Sequence, residues 1–251
     1  MAVSDLCLDG VIEGAVNFRD LGGLPAGDGR VRRGLVYRSG MTHYISLEGM
    51  RLLAERYGLR TVIDLRSAQE LERGLATWQA AGITHHHTPV LADTSATLEE
   101  VGRRYAEMAS GSFDWTELYI RMLEQGAPAF RQTFTLLAQP GTLPVVFHCA
   151  GGRDRTGVTA ALLLAILGVP EEVIARDYAL TGTYLLPHLD RFMGSPDRMP
   201  LSRDEMERLL QTRDESMSRF LAAVTEQYGS PEDYLTAVGV DRDAIAVLRD
   251  G

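Results

Sequence analysis

A chain of 251 residues, 45% hydrophobic and 24% charged, has ordinary globular composition and is long enough to bury a central sheet between layers of helices in one large domain. The net charge of −9 and pI near 5.2 exclude the basic face of a nucleic-acid binder, and any anionic ligand must find a local positive pocket. No apolar run approaches the ~18 residues of a membrane span, and the N-terminus lacks a basic stretch followed by an apolar one, so a cytoplasmic protein is expected.

All 25 basic residues are arginine, a bias that reads as a property of the coding genome. Cys7 and Cys149 are the only cysteines, which excludes a disulfide framework and a cysteine-rich metal site. Cys7 is read as a bystander, with a regulatory disulfide to Cys149 as the alternative.

In chain order, residues 11–40 read as short extended pieces joined by glycine turns. Ser46 and the following residues predict an N-capped helix ending at Gly58, and Leu59–Arg66 a buried strand. A short helix is expected over Gln69–Trp78 and a strand over Ile83–Val90. Within that strand, His85 and His87 would face one way and His86 the other, which suits solvated strand histidines better than a metal site. Residues 98–139 carry the spacing of two or three amphipathic helices. Pro144–Phe147 suits a central parallel strand, and Gly157–Leu167 a buried helix stopped by Gly168, with Pro170 opening the next. Thr181–Ser216, rich in Met and charge, reads as a mobile excursion or lid, and two helices follow from Met217. The alternation predicts an α/β fold with a mainly parallel sheet flanked by helices.

The chemistry concentrates in His148-Cys149-Ala150-Gly151-Gly152-Arg153-Asp154-Arg155-Thr156-Gly157. A strand, a glycine-bearing loop and a helix N-terminus gather backbone N–H groups around one anion. Gly151 and Gly152 permit the tight backbone of such a cradle, lined by Ala150 through Arg155. A thiol at its focus, beside Arg155, is expected as the thiolate. Cys149 would then attack phosphorus in line while Arg155 binds two phosphate oxygens. Thr156 is placed to assist the sulfur as it leaves, and a carboxyl at Asp154 to protonate the departing oxygen. Arg153 and Arg155 favour the carboxylate of Asp154 and a bound phosphate dianion favours the acid, so the acid role belongs to the substrate complex. Asp93, in a loop after a strand, is the rival acid. Around this loop, Arg19 and Asp20 are candidate braces, Asp64 and Arg66 end a strand where ligands bind in open α/β sheets, and His148 packs beneath the loop.

Cys149-x5-Arg155 resembles the signature loop of the protein tyrosine phosphatase superfamily, and more narrowly that of the bacterial tyrosine/lipid phosphatases. The resemblance extends to Asn17-Phe18-Arg19-Asp20-Leu21-Gly22-Gly23, Tyr37-Arg38-Ser39-Gly40, Ile63-Asp64-Leu65-Arg66-Ser67 with Glu70, and Asp177-Tyr178, so it covers most of the chain in order. It implies a phosphatase domain over residues 1–251 with a four- or five-stranded sheet, a helical lid at 181–216, no metal or other cofactor, Asp154 as general acid and Asp177 as a supporting residue. The implied substrates are phosphotyrosine proteins, with phosphoserine or phosphothreonine tolerated, or phospholipids. The group often has Lys where this loop has Arg153, a position linked to lipid headgroups; in a chain without lysine the change carries no specificity signal. The alternatives are a phosphoinositide phosphatase and a non-catalytic phosphate-binding module.

Overall fold

The computed structural model describes residues 7–72, 76–91, 98–111, 113–193 and 201–250. Its centre is a five-stranded sheet in the order β1 (Arg19–Asp20), β4 (Val36–Ser39), β7 (Val145–His148), β5 (Thr61–Asp64) and β6 (Thr84–His87). Only β1 runs antiparallel to its neighbour; the other pairings are parallel, and β2 (Pro25–Ala26) and β3 (Gly29–Arg30) form a separate ribbon. The central strands β5 and β7 are buried along their whole length, as parallel strands covered on both faces must be.

Successive strand residues supply opposite faces. Ile63, Val145 and Phe147 pack with α4 (Trp115–Gln125), α5 (Ala127–Ala138), α6 (Asp154–Ile166) and α7 (Glu171–Leu185). Val62 and Val146 turn the other way, against Met50 and Leu53 of α1 (Leu47–Arg56) and against Trp78. The Ser46 hydroxyl caps α1 by accepting from the Gly49 amide at 3.1 Å, as its sequence predicts. A short α2 (Ala68–Glu72) follows β5, and α3 (Leu98–Ala109) precedes α4.

Several elements differ from the sequence reading: the helix expected over Gln69–Trp78 is α-helical at Ala68–Glu72, with Trp78 opening a separate 3-10 turn, and the strand expected over Ile83–Val90 is paired only at Thr84–His87. The helix after β7 begins at Asp154 rather than Gly157, so Asp154, Arg155 and Thr156 form its first turn and carry the loop's end with them. The α7 helix runs on through Leu185, into the segment expected to leave the fold at Thr181. Beyond it, α8 (Leu189–Met193) and α9 (Arg203–Leu210) place Leu189, Met206, Leu209 and Leu210 in an apolar cluster with Val16, Met41 and Ala109. The chain closes with three helices rather than two, α10 (Asp214–Tyr228), α11 (Pro231–Ala237) and α12 (Arg242–Asp250). Among the described residues no helix is long and apolar enough to cross a membrane.

Candidate active site

The C-terminal ends of β4, β5 and β7 converge on one edge, with Ser39 and Asp64 both in register with His148. Cys149 follows directly and is buried, and the chain then turns through Gly152 at φ +68° into α6. A Cβ on Gly152 would sit 2.5 Å from the Ser39 carbonyl oxygen and 2.7 Å from the Asn17 amide nitrogen, so only glycine fits here.

What shapes the loop is a set of donors behind it. Asn17, itself at φ +57°, donates its side-chain amide to the carbonyls of Gly151 and Gly152, each at 3.1 Å, and Arg38 Nη2 donates to Gly152 at 2.8 Å. In a trans peptide the N–H points opposite to the C=O, so tying these carbonyls outward turns the amides of Gly152 and Arg153 to the other side. The amides of Ala150, Gly151 and Gly152 donate to no acceptor among the described residues. They are free for an anion.

Those donors are fixed in turn by a buried carboxylate. Asp177 accepts from Arg19 Nε at 2.9 Å and from Arg38 Nη1 at 2.6 Å, and Arg19 also reaches the Thr181 hydroxyl at 3.2 Å. Arg19 and Arg38 are directly paired across β1 and β4, so two buried guanidinium groups lie side by side and need this shared counter-charge. Burial opposes ionisation of Asp177, but Arg19 and Arg38 outweigh it and hold the carboxyl below its usual range. Burial and Arg19 push Arg38 down to about 10 against the pull of Asp177. Asp177→Ala is expected to lower unfolding free energy by about 3–5 kcal/mol in urea titrations, because it strands both arginines. A loss below about 1 kcal/mol, the range of an exposed pair, would contradict this.

Among the residues marked by the sequence, Arg155 closes the loop. Its Nη1 and Nη2 donate to the two oxygens of Glu70 at 2.5 and 2.8 Å. Burial opposes its charge, but Glu70 and Cys149 outweigh that and push its pKa above the ordinary guanidinium value. Glu70 lies in α2 and accepts from the Ser67 amide at 2.9 Å, so the fork of Arg155 is held from a fixed turn. The Thr156 hydroxyl, in the first turn of α6, is buried and has no hydrogen-bond partner among the described residues. Asp154 opens that helix and lines an open cleft of about 940 Å³, together with Arg155, Tyr105, Phe113 and Trp115.

Other marked residues are placed differently. Arg153 stacks its guanidinium 4.2 Å over Trp115, donates to Asp154 Oδ1 at 2.9 Å and donates to the Leu209 carbonyl. Asp20 does not bond to the loop at all but organises the turn beside it, accepting from the amides of Gly22 and Gly34 at 2.8 Å. Asp64 and Arg66 form a buried fork, with Arg66 Nη2 2.7 Å from Asp64 Oδ2. Burial alone would raise the Asp64 carboxyl, yet His148, His85 and Arg66 hold it well below the ordinary range. His148 is pushed down to about 4, burial outweighing the Asp64 charge, so at neutral pH the full charge that keeps Asp64 ionised is that of Arg66. Beneath the loop, the His148 ring lies 3.2 Å from the Cys149 carbonyl, 3.3 Å from the Thr42 hydroxyl and 3.4 Å from Asp64. His85 lies 3.4 Å from Asp64 and His87 2.8 Å from the Arg66 carbonyl, so both serve this fork. Asp93, the rival acid, lies outside the described residues.

Asn17, Arg38 and Thr181 are braces that charge pattern and spacing alone do not reveal. The available signal was the facing pair Arg19 and Arg38, which demands a buried acid.

A tyrosine-protein phosphatase of Nostoc commune is 33% identical over 141 residues, covering 53% of this chain; the match takes in 47% of that protein, about half its length. The triple specificity protein phosphatase PtpB of Mycobacterium tuberculosis is 28% identical over 273 residues, covering 95% of this chain and 96% of that one. Among solved structures, the core catalytic domain of the PP-IP phosphatase SIW14 from S. cerevisiae, in complex with citrate, matches with a TM-score of 0.38 and 15% identity over 74% of this chain and 96% of that chain. The model of the tyrosine phosphatase family matches residues 11–251, and the chain accordingly belongs to that family and is a phosphatase.

Proposed function

We propose that the protein hydrolyses phosphate monoesters, chiefly phosphotyrosine in proteins with phosphoserine and phosphothreonine tolerated, through a phosphocysteine intermediate. The observation that carries this is the cradle itself: outward-tied carbonyls leave free amides at Cys149, with Arg155 and Asp154 on its rim. In the first step the Cys149 thiolate forms an S–P bond as the P–O bond to the leaving group breaks, and the Asp154 proton passes to the departing oxygen. Amides and Arg155 stabilise the charge on the three equatorial oxygens. In the second step water attacks phosphorus, Asp154 takes a proton from it, and the sulfur leaves as thiolate, its charge met by the Thr156 hydroxyl. The orphaned state of that hydroxyl supports this role.

The phosphatase from Mycobacterium tuberculosis is named for triple specificity, which supports a broad substrate range. A second reading, phosphoinositide hydrolysis, is favoured by the size of the cleft and by Arg103 and Arg104 on its lining. The excursion through α8 and α9 is proposed as a lid, since its apolar cluster reaches Leu185 and Phe192, which adjoin Gly151. An intact nucleophile speaks against a silent binding module. Phosphate release from phosphotyrosine peptides, phosphoserine peptides and phosphoinositide vesicles tests these readings. Fastest release from phosphotyrosine is expected; release from vesicles alone would favour the second reading, and none from any would sink both.

A further inference from the structure

Two donors converge on one oxygen of Asp154. The Tyr119 hydroxyl donates to Oδ1 at 2.8 Å and Arg153 Nε donates to the same atom at 2.9 Å, whereas Oδ2 has no hydrogen-bond partner among the described residues. A protonated carboxyl has one carbonyl oxygen, which only accepts, and one hydroxyl oxygen, which donates. Two converging donors select Oδ1 as the carbonyl oxygen, and the proton falls to Oδ2.

Neither donor is loosely held. Tyr119 is fully buried, with its ring edge-on to Tyr178 and Phe220 at centroid distances of 6.1 and 5.8 Å. Its hydroxyl also lies 2.5 Å from the Tyr178 hydroxyl. Because the single proton of Tyr119 goes to Asp154, Tyr178 is the donor of that second link, and the chain runs Tyr178 to Tyr119 to Asp154. Linked hydrogen bonds polarise one another in one direction. Burial raises both phenols, Tyr178 to about 12, so both remain neutral donors.

We propose that Tyr119 is a positioning residue that fixes the acid proton of Asp154 on Oδ2, the oxygen left for the leaving group, with Tyr178 setting the direction of the Tyr119 O–H. This rests on Asp154 as the general acid. Tyr119 forms and breaks no bond to substrate; the proton moves from Asp154 Oδ2 to the phenolate oxygen as the P–O bond breaks.

The test is kcat/KM, which reports the step that forms phosphocysteine, for aryl phosphates with leaving groups from phenol to p-nitrophenol. Tyr119→Phe keeps the ring packing and is expected to lose about 10-fold on phenyl phosphate, the worth of one hydrogen bond, and less than about 3-fold on p-nitrophenyl phosphate. Tyr178→Phe should lose less, in the same pattern, because Tyr119 still donates; it carries the test alone if Tyr119→Phe fails to fold. In an Asp154→Asn background, Tyr119→Phe should add nothing. Equal losses for all leaving groups, no loss, or an undiminished loss in the Asp154→Asn background would overturn the role of Tyr119 while leaving Asp154 in place. An Asp154→Asn variant without leaving-group dependence would overturn both.

Discussion

Cys149→Ser is expected to abolish turnover, by at least about 10⁴-fold in kcat for p-nitrophenyl phosphate, while the protein still binds inorganic phosphate. The two halves of this expectation come from different parts of the site. On the proposed mechanism catalysis needs the sulfur, because no base among the described residues is hydrogen-bonded to the side chain at this point, so a serine hydroxyl would keep its proton. The one histidine at the strand's end, His148, sits 3.2 Å from the carbonyl of Cys149 and is held among Asp64 and Thr42, away from the role of a base. Binding needs the cradle, and the hydrogen bonds that shape it do not involve the sulfur: Asn17 and Arg38 hold the carbonyls of Gly151 and Gly152, and Glu70 holds Arg155. If the nucleophile is the thiolate that the proposed mechanism requires, its replacement by a neutral hydroxyl also removes like-charge repulsion of the phosphate dianion. At about 4 Å such a charge pair interacts by several kcal/mol at an effective dielectric of about 20, so phosphate should bind at least as tightly as to the parent protein. Calorimetric titration with phosphate and a steady-state assay decide it. Residual turnover above a thousandth would remove Cys149 as nucleophile, and loss of phosphate binding would remove the backbone cradle as the anion site.

The parts of this site that sequence exposes are those whose chemistry is local. A thiol, two glycines, an arginine at +6 and a helix start form one continuous segment, and the strand before it declares itself by its β-branched apolar run. The supports were less legible because they depend on registry between distant strands. Arg19 stood out beside Asp20, yet Asp20 turns to the amides of Gly22 and Gly34, while the true partner of Arg19 lies on α7 at Asp177. Adjacent residues on a strand face opposite ways, so a neighbouring pair cannot both brace the same loop. Arg153 shows the same limit. Its place in the loop suggested a phosphate ligand; its buried guanidinium also stacks on Trp115 and donates to Asp154 and to the Leu209 carbonyl, contacts that spacing along the chain does not report. The lid expectation at Thr181–Ser216 rested on Met, Pro and charge content; α7 continues to Leu185 because Thr181 and Leu185 face a buried surface, which composition does not report.

Asp154→Asn should cost about 10²- to 10⁴-fold in kcat/KM on phenyl phosphate and much less on p-nitrophenyl phosphate. The substitution is well suited to isolate a proton. An asparagine carbonyl can occupy the place of Oδ1 and accept from Tyr119 and Arg153 as the carboxyl does, at 2.8 and 2.9 Å, and the amide nitrogen takes the place of Oδ2. Packing is kept and the transferable proton is lost. A phenolate leaves poorly without protonation, whereas p-nitrophenolate spreads its charge over the ring and leaves unaided; the loss should therefore grow as the leaving group becomes more basic. The first turn of α6 fixes where this carboxyl can act, one residue before Arg155 and on the lining of the same cleft. If the loss were instead equal across the series, Asp154 would be acting through the electrostatics of the loop, and the proton would have to come from elsewhere. Asp93→Asn, measured on the same series, separates the cases: it should leave the slope unchanged if Asp154 is the acid, and steepen it, with the largest loss on phenyl phosphate, if Asp93 is.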